Sequence, residues 1–248
     1  MRFIGNSIDF FWRLCYNTPM NELSITQIQQ NLATFAKELG ADIVGFCSFD
    51  TPPSALCPTL THAVSIGVKL SDSVLQTIDS APSFVYFQHY RTANALLDNI
   101  AFRLSREIEK YGYGAMPIAG SQSQGKNNAF CGVVPHKTVA VKAGLGFVGK
   151  SGLFLSEEFG SKVRLATILT NLPVQSERPI IQNGCGSCTL CAKACPAGAI
   201  FGELPTTDGT RNIDPEKCSR YMKEHFQDIG RGSVCGICIK VCPKNKLQ

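Results

Sequence analysis

CGSCTLCAKACP, residues 185–196, and CGICIKVCP, residues 235–243, decide how the rest of the chain is read. The first stretch spaces Cys185, Cys188, Cys191 and Cys195 as C-x2-C-x2-C-x3-C, with Pro196 behind. Two-residue gaps let one tight loop turn three thiolates onto three corners of an iron–sulfur cube. The longer gap, closed by proline, points the fourth thiolate away toward a second cube. The closing stretch supplies Cys235, Cys238 and Cys242 before Pro243, one ligand fewer, and Cys218 makes up the count. By this crossover Cys185, Cys188, Cys191 and Cys242 should hold one [4Fe–4S] cluster. Cys195, Cys218, Cys235 and Cys238 should hold the other. Zinc ribbons favour separated C-x2-C pairs, in which neither the triplet nor the C-x3-C-P ending has a role.

The chain of 248 residues has 12 cysteines, 17% charged residues and a formal net charge of +5. The low charge and the scattered Gly and Pro exclude a coiled coil and a disordered acidic tail. No apolar run approaches the roughly 18 residues that span a bilayer, so no membrane span is expected. Each four-thiolate cubane carries about −2 when oxidised, so two of them cancel most of the basic excess. A nucleic-acid partner therefore gains nothing from net charge alone. The opening MRFIGNSIDFFWRLCYNTP is broken by Asn6, Asp9 and Arg13 and lacks a signal peptide's clean apolar core. Residues 1–19 read as an extension or an upstream start before Met20, and the expected location is the reducing cytoplasm, where thiols bind metal.

Ahead of the cysteines, helix and strand patterns alternate. Ser24 can cap a helix whose apolar positions Ile25, Ile28, Leu32, Phe35, Ala36 and Leu39 keep helical period up to Gly40. Strands are predicted at 41–46, 62–68, 152–156 and 163–171, with another in YGAMPIA after Gly112. A helix over about 88–111 presents Leu96, Leu97, Ile100, Leu104 and Ile108. The expected class is α+β: an α/β-type cofactor and substrate domain with a mixed sheet over 20–178. A bacterial ferredoxin-like domain with two [4Fe–4S] clusters follows over 179–248. Cys15, Cys47 and Cys57 read as packing thiols.

GLGFVGKS, residues 144–151, satisfies both G-x-G-x-x-G and G-x-x-x-x-G-K-[ST]. Both phosphate-binding mechanisms need a helix N-terminus after the loop. Here SGLFLS follows, with strand-like alternation. The loop is expected instead to wall a pocket for another cofactor, through Gly144, Leu145, Gly146, Gly149 and Lys150.

With those cysteine motifs, PHKTVAVKAGLGFVGKSGLFLSEEFGSKVRLATILTNLPV resembles the epoxyqueuosine reductases, with reductive dehalogenases as more distant kin. The resemblance covers about 115–248 well and 20–114 loosely. It implies two [4Fe–4S] clusters feeding electrons to a base-off cobalamin in the N-terminal domain, with the 144–150 loop against the corrin. Two departures stand out. Counting back from Gly144, the family's catalytic aspartate falls at Phe130, which cannot donate a proton. The chain also stops soon after its last cysteine, without the helical repeats many members use against tRNA. The expected substrate is therefore a small molecule or modified nucleoside, tRNA being the weaker partner, and the electrons come from an external low-potential donor. Cys131 and His136 flank the family's active-site segment and are the catalytic candidates; a histidine satisfied by backbone at a turn is the plainer reading of His136. The alternative function is a ferredoxin-like carrier that docks a partner enzyme and holds no cobalamin.

Overall fold

The computed structural model describes residues 23–122, 130–176, 178–182, 184–205, 212–232 and 234–245. The N-terminal extension and Cys15 lie outside these. Helix α1 (Ile25–Glu38) opens with a capping box. The Gln27 amide donates to Ser24 Oγ at 3.3 Å, and the Ser24 amide donates to Gln27 Oε1 at 2.9 Å, so two otherwise unsatisfied donors are met reciprocally.

Four strands make the main sheet: β1 (Ile43–Ser48), β2 (His62–Lys69), β3 (Ala115–Ile118) and β6 (Val163–Thr170), in the order β1-β2-β6-β3. All three pairings are antiparallel, with Val44 opposite Ile66, Val64 opposite Ile168 and Pro117 opposite Ile168. The α+β class holds, but the expected mixed sheet is replaced by an antiparallel one. The reason lies in the order of the strands. Strands β2 and β3 run parallel to each other, joined by α2 (Asp72–Gln76) and the long α3 (Phe84–Lys110), and β6 is inserted between them. The helical crossover that suggested parallel neighbours is present, but it skips a strand.

Alternation along the strands sends side chains to two cores. Val64, Ile66, Ala166 and Ile168 pack with α1 (Ile28, Leu32) and α3 (Leu97, Ile100, Leu104). Ala63, Leu165 and Leu169 pack with Val139 and Ala140 of α4 (His136–Lys142) on the other face. Leu96 does not join the inward stripe; it is 37% exposed, a full helical step of about 100° from the buried Leu97. Behind α4, β4 (Gly146–Val148) and β5 (Phe154–Ser156) form a two-stranded hairpin. Cys47 is a packing thiol, buried with its Sγ 3.7 Å from the Val139 carbonyl, and burial pushes it up to about 12.

The cysteine-bearing segment contributes α5 (Leu190–Ala194), α6 (Pro215–His225) and α7 (Ile237–Lys240). Among the described residues its apolar side chains form no separate cluster. Met222, Phe226, Val234, Ile237 and Ile239 join the α1/α3 core, alongside Tyr86 and Phe87 of α3. Lys240 Nζ donates to the carbonyls of Gln76 and Ile78 at 3.0 and 2.8 Å, tying α7 to the end of α2.

Candidate iron–sulfur centre and adjoining cavity

Short turns place the thiols. The Cys188 amide donates to the Cys185 carbonyl at 3.0 Å, and the Cys242 amide to the Ile239 carbonyl at 3.1 Å. These turns bring Cys185, Cys188, Cys191 and Cys242 around one small cavity, shared with Lys150, Ser151, Leu155, Pro243 and Lys244. Sequence positions 185 and 242 thus meet. Burial holds the Cys191 thiol above its ordinary value, and the neighbouring Cys185 and Cys242 push the same way. Burial also raises Cys242, against the Lys244 amide and the Ser161 hydroxyl, with Cys185 and Cys188 adding to the rise.

The other four thiols are one another's neighbours. Cys238 is raised most, by burial and then by Cys235, Cys218 and Cys195. Cys235 is pushed up to about 11 by burial, with Cys218 and Cys195 adding to it and the Ile237 amide opposing it. Burial, Cys195 and the Asp214 carboxylate raise Cys218. The Ala199 amide donates to Cys195 Sγ at 3.4 Å. Cys238 also feels Cys191, so the two groups adjoin. Thiols held this high keep their protons until a metal displaces them, and metal insertion would release those protons. Among the described residues no three His, Cys, Asp or Glu are spaced for a single metal ion. Cubane ligands stand around a box rather than one atom, so single-ion spacing is not what a cluster requires.

Buried asparagines fix the segment against the rest. Asn245 Oδ1 accepts from the Ser161 amide and hydroxyl at 2.8 and 2.9 Å, while its Nδ2 donates to the Ile239 carbonyl at 2.6 Å. Asn212 Nδ2 donates to the Gly149 carbonyl at 2.9 Å.

Between α4, β6, the hairpin and the cysteine segment lies a cavity of about 790 Å³. Its walls include Gly120, Gly132, Val148, Gly152, Leu153, Phe154, Arg164 and Ile213. Cys131 and His136 both line it. His136 has both ring nitrogens engaged: Nδ1 lies 2.8 Å from Thr167 Oγ1 and Nε2 3.0 Å from the Ala119 carbonyl. The carbonyl can only accept, so Nε2 carries the hydrogen and Nδ1 accepts from the threonine. Burial holds this imidazole below its ordinary value, with Arg164 lowering it further and the Ala119 carbonyl opposing. It is a neutral, anchored ring.

Apart from Val148, the glycine loop faces elsewhere. Gly144, Leu145, Gly146, Gly149 and Lys150 are not among the residues lining the large cavity. Leu145 is buried in the α4-side core. A Cβ on Gly146 would stand 2.0 Å from the Leu155 carbonyl oxygen, so glycine there is what lets β4 pair with β5. Lys150 lines the first thiol cavity. The residues after the loop form a hairpin strand, not a helix, so neither phosphate-binding arrangement is assembled.

A polar network at the cavity wall escapes the sequence reading. Arg164 Nε donates to Asn94 Oδ1 at 3.0 Å, and Nη2 donates to Tyr90 Oη at 3.1 Å, Ser121 Oγ at 3.3 Å and the Gly120 carbonyl at 3.4 Å. The guanidinium carbon stands 4.4 Å from the Tyr90 ring centre. Burial alone would raise the Tyr90 hydroxyl, but Arg164 and the hydrogen bonds around it bring it below its ordinary value. Arg164 sits within VRLATILT, where it reads as an ordinary outward strand residue. Tyr90 lies 74 positions earlier on α3, and nothing local links the two.

Comparison with known proteins follows the same division. Residues 184–245 match the family model of the 4Fe-4S double cluster binding domain. An epoxyqueuosine reductase of Lactococcus garvieae is 36% identical over 151 residues, which are 58% of this chain and 41% of that protein. A tetrachloroethene reductive dehalogenase of Dehalobacter restrictus is 26% identical over 224 residues, 84% of this chain and 38% of that protein. Among solved structures, a reductive dehalogenase described with a mechanism for B12-dependent dehalogenation shares the fold, with a TM-score of 0.76 at 24% identity. That match covers 93% of this chain and 33% of the other. The chain spans about two fifths of the length of these curated relatives. The chain is thus similar to epoxyqueuosine reductases and reductive dehalogenases, and its residues 184–245 match a domain that binds two 4Fe-4S clusters.

Proposed function

We propose that this chain is an iron–sulfur reductase that passes electrons, one at a time, from an external low-potential donor to a cobalamin or a substrate in the 790 Å³ cavity. In this reading Cys185, Cys188, Cys191 and Cys242 hold one cluster, and Cys195, Cys218, Cys235 and Cys238 hold the other. Residues 20–178 form the cofactor and substrate domain, and 179–248 the cluster domain. The observation that carries the proposal is the sorting of eight thiols into two adjoining groups that share Ser161 and Ile239 with the wall of that cavity. Ser161 touches Cys242 and lines the cavity; Ile239 follows Cys238 and lines it too.

The size of the cavity supports an organic cofactor there, and cobalamin is the one we propose. The cavity's volume is in the upper part of the range for ligand sites. Glycines 120, 132 and 152 leave its walls close to backbone, and His136 has no ring nitrogen to spare for a metal. A bound cobalamin would leave this ring's hydrogen bonds in place and would supply a strongly reducing metal centre. Gly152, Val148, Leu153 and Phe154 would hold such a group and exclude water. Arg164 lines the cavity and is placed to meet negative charge developing on a substrate, with the Tyr90 hydroxyl behind it holding the guanidinium in position. Cys131 lines the same space, while His136 orients and does not transfer. The substrate is a small organic molecule or a modified nucleoside, taken in the reducing cytoplasm.

Mixing reduced protein with hydroxocobalamin tests the reading. A stoichiometric base-off absorption spectrum is expected. A protein whose clusters reduce and reoxidise normally but that binds no cobalamin would return the chain to the electron-carrier alternative.

A further inference from the structure

The lysine of the GLGFVGKS stretch has no phosphate to hold, yet it stands beside thiols. Lys150 and Lys244 both line the cavity of Cys185, Cys188, Cys191 and Cys242. Neither takes part in any of the ion pairs among the described residues. Two lysines, neither with a carboxylate partner among the described residues, thus stand at one set of four thiols. The other set has neighbours of both signs: Asp214, whose carboxylate caps α6 through the Lys217 amide at 2.9 Å and adds negative potential at Cys218, and the Lys217 ammonium, 3.3 Å from the Gly198 carbonyl.

A four-thiolate cubane goes from about −2 to about −3 on reduction. A nearby cation stabilises the reduced form more than the oxidised one, and a nearby anion does the reverse; partial burial strengthens both effects. Resting on the cluster assignment proposed above, we infer that Lys150, assisted by Lys244, is a charge-compensating residue that sets the 185/188/191/242 cluster at the higher potential of the two. The first electron to enter the chain then resides there. The backbone of the loop supports the same role, because a Cβ on Gly149 would lie 3.1 Å from Cys185 Sγ, so the loop passes directly over that ligand. Its glycines and its lysine serve an anion after all, but the anion is an iron–sulfur cube.

The test is a potentiometric titration followed by electron paramagnetic resonance on anaerobically purified holoprotein, with iron analysis on each sample. Lys150→Met should shift one midpoint potential in the negative direction, that of the signal which Cys185→Ser perturbs, and leave the other in place. Lys150→Arg should restore the parent value, and Lys244→Gln should move the same potential in the same direction. If Lys150→Met loses iron, Lys150→Arg and Lys244→Gln decide the matter between them. About eight irons per chain with both potentials unmoved in Lys150→Met and Lys244→Gln would overturn this inference and leave the cluster assignment standing. A parent protein without two clusters would overturn the assignment itself.

Discussion

Gly149 lies against Cys185: a methyl group in place of its hydrogen would sit 3.1 Å from the cysteine Sγ and 2.7 Å from Leu155 Cδ1. The leucine can swing aside, because it meets the methyl with the end of a flexible chain. A sulfur fixed by iron cannot. Gly149→Ala should therefore leave the sheet intact, cost about 1–3 kcal/mol of stability, and drop iron from about eight toward about four per chain. Iron and sulfide analysis beside far-ultraviolet circular dichroism checks this. Full iron with an unchanged visible spectrum would show that the loop does not press on the cluster.

Arg164 brings Tyr90 below its ordinary value across a 3.1 Å hydrogen bond and a ring contact. Arg164→Met should raise the tyrosine, because burial then acts without its counterweight. Ultraviolet titration of the phenolate band, with Tyr90→Phe as the reference that lacks this group, reads the change. Substrate reduction should fall about 100-fold in Arg164→Met, which removes the guanidinium lining the cavity, and less in Tyr90→Phe. Cluster spectra should not change in either variant.

Much of this was legible in the chain itself. The cysteine spacing forecasts two groups of four, and Cys185, Cys188, Cys191 and Cys242 line one small cavity although 57 positions separate the first from the last. Ser24 and Gln27, three apart before an apolar periodic run, forecast the capping box that forms. Two things were hidden, for a common physical reason. The position of β6 between β2 and β3 is a pairing of segments about 50 to 100 residues apart, and local periodicity carries no record of strand neighbours. The Arg164–Tyr90 contact likewise joins a strand to a helix that only the folded sheet brings near. The glycine loop misleads in another way: its spacing meets a phosphate-loop pattern, but Phe154 and Leu155 pair back onto Gly146–Val148 and no helix can start there.

His136 donates through Nε2 and accepts at Nδ1, and burial holds it below its ordinary value. In the unfolded chain the ring would take up a proton at its ordinary value. Its contribution to stability is therefore complete above about pH 6.5 and is lost as the pH falls below that, toward the lower value of the folded state. His136→Gln keeps an acceptor and a donor and removes the titration. Denaturant unfolding from pH 7.5 to 5 should show a shallower loss in the variant than in the parent. Parallel slopes would mean that the ring titrates alike in both states.

The central claim is that eight cysteines divide into two sets of four, each holding a cube. Iron, zinc and acid-labile sulfide should be measured on protein purified without oxygen, beside Cys242→Ser and Cys235→Ser. The parent should return about eight irons and eight sulfides and no zinc, and each variant should lose or alter a different one of two cluster signals. Zinc in place of iron, or both variants erasing the same signal, would contradict it.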